Sequence, residues 1–161
     1  MATSTSSNPV HQPPQHKVFL NFRGADLRLN FISHLVGALQ MEGINYFIDE
    51  DEMRGEKLEK LFKTIEESSI AIVVISSKYT ESEWCLNELA KIKECVEEER
   101  MRVFPVFYKV TVASVKDKKG NFRDYLTKLS SDRKETWENA LDFVTSRLGQ
   151  TVDEKSDSFP T

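Results

Sequence analysis

The stretch IAIVVI, residues 70–75, decides the fold class because it is apolar from end to end. A strand with one face in solvent alternates apolar and polar residues, whereas a parallel strand covered by helices on both faces reads as a continuous apolar run. Five of its six residues are Ile or Val, which favour strands. The stretch therefore predicts a central strand of a parallel sheet that is buried on both sides.

Three further apolar runs read as strands. They span Val18 to Phe22, Ile44 to Ile48 and Val103 to Tyr108. The last run contains Pro105, which has no N–H to donate to a sheet ladder, so we expect this strand at or near an edge. The pattern thus predicts four clear strands, and no convincing fifth strand follows them.

The segments between the strands carry apolar residues at helical spacing, and a last helix follows the fourth strand. The stripes are Ile32-Leu35-Val36-Leu39, Leu58-Leu61-Phe62-Ile65, Cys85-Leu89-Ile92-Val96 and Trp137-Ala140-Leu141-Val144-Leu148. This alternation predicts an α/β fold, a doubly wound parallel sheet with helices on both faces. We expect a disordered leader at residues 1–15, one domain at 16–148 and a flexible tail at 149–161. Val110 to Gly120 is predicted as a loop.

Composition excludes several functional classes. A net charge of −4 gives no general attraction to nucleic acid, and the run of Lys116, Lys118 and Lys119 reads as a solvated loop. No apolar stretch approaches the about 18 residues that span a bilayer, so no membrane association is expected. Cys85 and Cys95 lie about 15 Å apart in one predicted helix, too far for a disulfide. Free thiols suit the cytoplasm or the nucleus.

The loop after the first strand contains Arg23 and Gly24. In open α/β sheets ligands bind outside the carboxyl ends of the strands, so this loop is a candidate site. The glycine allows close backbone approach and the arginine can pair with phosphate. No GxGxxG or GxxxxGK[ST] motif is present. Local spacing alone favours a turn residue with a surface salt bridge as the role of Arg23.

The loop after the third strand leads into the helix that contains Glu88. Thr80 and Glu83 have the spacing of a capping box, which predicts that Thr80 caps this helix, with Tyr79 packed against Trp84.

Glu88 follows Trp84 by four positions and Cys85 by three, so the three residues share one edge of the helix. A carboxylate beside an indole and a thiol is a candidate desolvated acid. Local spacing favours the alternative, a rim glutamate paired with Lys91 or Lys78.

Histidines cannot build a catalytic triad or a metal cluster here. The chain has three, of which His11 lies in the leader, His16 at its boundary with the domain and His34 in the first helix. No metal site is therefore predicted. His34 and its neighbour Ser33 fall opposite the apolar stripe of the first helix, where exposure is expected and contact with a partner is the alternative.

Five segments in this order resemble the plant type of TIR (Toll/interleukin-1 receptor/resistance) domain. They read VFLNFRGADLR, FISHLVGAL, GINYFIDE, TIEESSIAIVVISSKYTESEWCLNELAKI and VFPVFY. The resemblance covers Lys17 to Phe143. It implies a flavodoxin-like fold with a five-stranded parallel sheet, so that the fifth strand would be very short or absent here.

The resemblance also implies an activity, that of an NAD⁺ nucleosidase of plant immune and cell-death signalling that self-association switches on. The glutamate of the family's WCLxEL motif is the catalytic residue, and it matches Glu88. NAD⁺ would be the substrate, with no further cofactor. The pocket residues implied by the resemblance are Arg23, Gly24, Ser76, Trp84 and Cys85.

Self-association is expected to use a surface that includes Ser33 and His34, which match a Ser-His pair of plant TIR domains. The chain departs from the family pattern at Ala25, at Leu27 and in the loop Val110 to Val115, which lacks the DPSDV form. The first two departures touch the mouth of the pocket, and the third lies in a region associated with assembly.

Two other functions compete with the hydrolase. One is a non-catalytic TIR adaptor that binds other TIR domains. The other is a phosphoacceptor receiver, which needs an aspartate after the third strand where this chain has Ser76 and Ser77. The chain would be either a free-standing TIR protein or an excised piece of a longer one.

Overall fold

The computed structural model describes residues 18–24, 27, 29–48, 58–117, 120–128, 132–147 and 150–152. Several sequence predictions fall outside these residues. They concern the leader at 1–15, Ala25, Lys118, Lys119 and the tail beyond residue 152.

The centre of the fold is a parallel five-stranded sheet with the order β2-β1-β3-β4-β5. The strands are β1 (Val18–Asn21), β2 (Tyr46–Ile48), β3 (Ile70–Ile75), β4 (Arg102–Tyr108) and β5 (Gln150–Val152). β3 lies in the middle, between β1 and β4, as its continuous apolar sequence predicts. The flavodoxin-like parallel sheet is confirmed.

One prediction about the far side of the sheet is wrong. Gln150–Val152 is a strand, although it belongs to the segment predicted as a tail, because three residues are too few to show a periodicity. This short β5 pairs with Val106 to Tyr108, so β4 lies next to the edge strand, near the edge as Pro105 predicts. Pro105 lies just outside that ladder, where its missing N–H costs no hydrogen bond to β5.

Six helices have both ends within the described residues, together with two short 3₁₀ turns. They are α1 (Phe31–Met41), α2 (Leu58–Glu66), α3 (Glu83–Glu97), α4 (Val112–Lys116), α5 (Asp124–Lys128) and α6 (Lys134–Thr145), with turns at Tyr79–Glu81 and Asn121–Arg123. α4 corrects the prediction of a loop at Val110 to Gly120. Its five residues are too short for a stripe, but the side chain of Thr111 caps it by accepting from the Ser114 N–H.

The helices pack on both faces of the sheet, as predicted. On one face Phe19 joins a core that also contains Leu61 of α2, Leu89 of α3 and Trp137 of α6. On the other face Val18 and Leu20 pack with α1, and Leu27, a departure from the family pattern, is buried in this second core. Because the chain leaves β1 first toward β2 and later returns to β3, the strand order reverses between β1 and β3. The carboxyl ends of these two strands are the place where α/β sheets bind ligands.

Candidate active site

The helix that carries Glu88 begins two residues later than the capping-box spacing predicts. Ser82 is the N-cap of α3, and its side chain accepts a hydrogen bond from the Cys85 N–H at 3.1 Å. Thr80 lies instead in the preceding 3₁₀ turn, where its hydroxyl donates to the Phe122 carbonyl at 2.8 Å. The prediction that Thr80 caps the helix is wrong because the 3₁₀ turn occupies the positions that a capping box would need.

Glu88 is buried in the second turn of α3, with a relative exposure of 2%. Its Oε1 accepts a hydrogen bond from Nδ2 of Asn21 at 2.7 Å. The prediction that Glu88 lies at the rim of the helix and pairs with Lys91 or Lys78 is therefore wrong. Lys91 instead contacts Glu66 at 2.7 Å and Glu94 at 2.9 Å. The desolvated carboxylate, the less favoured of the two local interpretations, is the one that the structure contains.

Asn21 joins the end of β1 to α3 and to the turn after β3. Its Nδ2 also donates to the Cys85 carbonyl at 3.3 Å, and its Oδ1 accepts from the Tyr79 hydroxyl. Asn21 and Tyr79 have no exposed surface. Burial, reinforced by Cys85 and Glu88, raises the pKa of Tyr79 well above its ordinary value of 10.0, so the phenol stays protonated and can donate.

Cys85 attaches the first loop to α3. Its Sγ donates to the Phe22 carbonyl at 3.2 Å, which requires the protonated thiol. Cys85 and Cys95 are both buried and free, so the predicted absence of a disulfide between them is confirmed. Burial also raises the pKa of the Cys95 thiol. Exposure does not distinguish the two cysteines, at 3% and 1%.

The other predicted pocket residues lie on the same carboxyl side of the sheet. Arg23 and Ser76 are half-buried, and Trp84 is half-buried against the core that α2, α3 and α6 share. Gly24 is exposed with φ of +109°, and nothing lies within 4 Å of a Cβ built there. The glycine therefore serves an unusual backbone torsion and not a close approach. Among the predicted pocket residues, Cys85 is linked to Glu88 through Asn21, which donates a hydrogen bond to each of them.

Ser33 and His34 are exposed on α1, as predicted. The Ser33 hydroxyl donates to the Asn30 carbonyl of the preceding turn at 3.0 Å. In the described part of the chain, no group of three or more His, Cys, Asp and Glu residues could hold a metal ion.

Sequence reasoning missed Asn21 and Tyr79 as members of this site. One signal was available, because Asn21 is a polar residue inside the apolar run VFLNF of a buried strand. A buried amide must find hydrogen-bond partners, so its position predicts a polar neighbour but does not identify which one.

The family model of the TIR domain matches residues 15–159. The chain belongs to the TIR domain family. Over 158 residues it is 47% identical to disease resistance protein RPS4 of Arabidopsis thaliana, a match that covers 97% of this chain and 13% of that protein. Disease resistance-like protein CSA1 of the same plant is 49% identical over 150 residues, covering 91% of this chain and 12% of that protein.

A solved structure is similar to this TIR domain as well. The TIR domains of the activated Roq1 resistosome, which directly recognizes the pathogen effector XopQ, superpose with a TM-score of 0.76 at 37% identity, over 85% of this chain and 87% of that one. The domain is thus of the type found in plant disease-resistance proteins, and it spans about an eighth of the curated relatives described above. None of its described helices is long and apolar enough to cross a membrane.

Proposed function

We propose that this TIR domain hydrolyses NAD⁺ at the bond between nicotinamide and ribose, with Glu88 as the catalytic carboxylate. One observation carries the proposal. A buried carboxylate, 2% exposed, lies where strand order reverses in the sheet, held by a side chain from β1. Burying a carboxylate costs free energy, and such groups are concentrated in functional sites.

The chemistry needs little more than this carboxylate. Nicotinamide leaves as a neutral molecule, so its departure requires no general acid, and positive charge moves from the pyridinium ring onto the ribose. Held near that sugar, Glu88 stabilises the developing oxocarbenium ion by the electrostatic logic that serves glycosidases. Water then adds to the ribose and releases a proton, which gives ADP-ribose. Arg23 would bind a phosphate, and Ser76, Trp84, Gly24 and Cys85 would line the pocket.

The burial of Glu88 is consistent with a site that becomes active only on self-association. With Glu88 at 2% exposure, the ribose of a substrate reaches the carboxylate only after neighbouring groups move. Assembly with other TIR domains through the face that includes Ser33 and His34 would supply that rearrangement. The Roq1 neighbour consists of TIR domains in an activated resistosome, which supports assembly as the setting of activity. The setting would be immune and cell-death signalling in the cytoplasm or the nucleus.

A second candidate function is a non-catalytic adaptor that binds other TIR domains. The exposure of Ser33 and His34 favours it, since a binding face needs no open active site. The two functions differ in whether Glu88 matters once the protein has assembled.

NAD⁺ consumption by the purified protein, followed by chromatography over a range of protein concentrations, tests the proposal. Turnover per molecule should rise with assembly. Glu88→Gln keeps shape and deletes the charge, so it should lower the rate roughly a hundredfold or more. Glu83→Gln is the matched control, because Glu83 is exposed on the same helix, and it should retain parental turnover. If Glu88→Gln assembles like the parent and cleaves NAD⁺ at the parental rate, the adaptor function replaces the hydrolase.

A further inference from the structure

Asn21 donates to Glu88 from the end of β1, and it does so as one part of a three-point attachment. Its Nδ2 contacts Oε1 of Glu88 at 2.7 Å and the Cys85 carbonyl at 3.3 Å, so a single amide group binds both the side chain and the backbone of α3. Its Oδ1 accepts from the Tyr79 hydroxyl. The side chains of Asn21, Glu88 and Tyr79 are at least 98% buried, so water does not compete strongly for these hydrogen bonds.

The two ends of an asparagine amide have opposite hydrogen-bonding roles, and only one orientation suits Glu88. The reversed orientation would place Oδ1, an acceptor, against the carboxylate and the Cys85 carbonyl, which are also acceptors. A donor on the other side of Asn21 excludes that arrangement. Tyr79 supplies this donor, since its raised pKa keeps the phenol protonated.

The orientation has a consequence for the charge of Glu88. Burial alone favours the neutral form of a carboxyl group, whereas a donated hydrogen bond favours the ionised form. Only the ionised form can stabilise a cation on the ribose. In the described part of the chain, Tyr79 and Cys85 are ionisable groups that join this cluster through hydrogen bonds, and as protonated donors neither carries a positive charge.

We infer that Asn21 is a positioning residue that keeps the Glu88 carboxylate ionised and aimed, and that the Tyr79 hydroxyl acts through Asn21 by selecting the orientation of its amide. The catalytic consequence rests on the proposed function. The effect on the ionisation of Glu88 does not, and it can be measured without any substrate.

The first experiment titrates the Glu88 carboxyl by ¹³C NMR in protein with labelled glutamate, with Glu88→Gln to assign the signal. Asn21→Leu keeps the size of the side chain and removes the donor. It should raise the titration midpoint of Glu88 by roughly one to two pH units, the size expected for a hydrogen bond to a charged group. Tyr79→Phe, which deletes only the hydroxyl, should raise the midpoint by less. In the Asn21→Leu background it should add nothing, because Tyr79 acts through Asn21.

Thr80→Val is the matched control. Thr80 is as buried as Tyr79 and loses one hydrogen bond, to the Phe122 carbonyl, without contacting Asn21. It should lower stability and leave the Glu88 midpoint unchanged. An unchanged midpoint in Asn21→Leu overturns the inference. If Asn21→Leu does not fold, Tyr79→Phe decides, and an unchanged midpoint there overturns it.

The second experiment measures NAD⁺ cleavage by the assembled protein. Asn21→Leu should lower kcat about tenfold or more with little change in KM, because the carboxylate acts on the developing charge and not on ground-state binding. Parental kcat in this variant, while Glu88→Gln is inactive, overturns the positioning role and leaves the proposed function standing. The converse outcome, a parent with no NAD⁺ cleavage but a shifted Glu88 midpoint in Asn21→Leu, removes the hydrolase function and supports the structural inference.

Discussion

Nζ of Lys91 lies 2.7 Å from Oε2 of Glu66, an ion pair that joins α3 to α2 on one face of the sheet. The hydrogen bond and charge of Lys91 lower the pKa of Glu66 below its ordinary value of 4.5. Partial burial lowers the pKa of Lys91, but Glu66 and Glu94 together outweigh burial and raise it to about 12.

Replacing Lys91 by Met should return the pKa of Glu66 to its ordinary range, as followed by ¹³C NMR of the side-chain carboxyl. The stabilisation that comes from the lowered pKa of Glu66 is present above pH 4.5 and is lost as the pH falls through the pKa of Glu66 in the folded protein. The stabilisation that comes from the raised pKa of Lys91 is complete below pH 10.5 and is lost as the pH rises through about 12. Lys93→Met is the control, since Lys93 pairs with Glu97 at 3.1 Å on the same helix. A Glu66 pKa that stays low in Lys91→Met would contradict the assignment.

Ser82→Ala should lower the free energy of unfolding by about 1 kcal/mol, because the Cys85 N–H loses its capping acceptor. Urea denaturation measures the loss. Thr80→Ser, which keeps the hydroxyl that binds the Phe122 carbonyl, should cost less. The capping box predicted from sequence would instead place Ser82 inside the helix, where Ser82→Ala removes no cap. A parental free energy of unfolding in Ser82→Ala would therefore contradict the observed cap.

Arg123 and Asp142 form an ion pair of unequal burial, and their replacements should differ in cost. The guanidinium is fully buried and donates to the Asp142 carboxylate at 3.0 Å and to the Val115 carbonyl at 2.9 Å, while Asp142 is 39% exposed. Asp142→Ala strands a buried charge and should cost about 3 kcal/mol or more. Arg123→Met leaves behind a carboxylate that water can reach, so it should cost less. Equal losses in thermal or urea unfolding would contradict this account.

His34→Ala should weaken self-association without weakening the fold. His34 is exposed on α1, and substitutions of exposed residues change stability by at most about 0.5 kcal/mol. Sedimentation should show less assembly, with NAD⁺ turnover falling in proportion. Glu59→Ala, an exposed position on α2, is the comparison and should leave both unchanged. Parental assembly in His34→Ala would move the association surface elsewhere on the domain.

The layers of this fold could be predicted from the sequence because they depend on local patterns. Residues 70–75 require burial on both faces, and the helical stripes require a sheet to cover. The N-cap of α3 and strand β5 could not be predicted in the same way. A 3₁₀ turn displaced the cap by two residues, and a three-residue strand is defined by its partner β4 and not by its own composition.

The sequence by itself determined that Trp84, Cys85 and Glu88 share one helix edge, since a helix places residues three and four apart together. Only the tertiary structure decided that Glu88 on this edge is buried and which residues it contacts. Asn21 is 67 positions from Glu88 and 58 from Tyr79 along the chain, so no spacing relates them. They meet because the carboxyl ends of β1 and β3 are adjacent in the sheet, and a buried carboxylate needs a donor within hydrogen-bond reach wherever the fold can supply one.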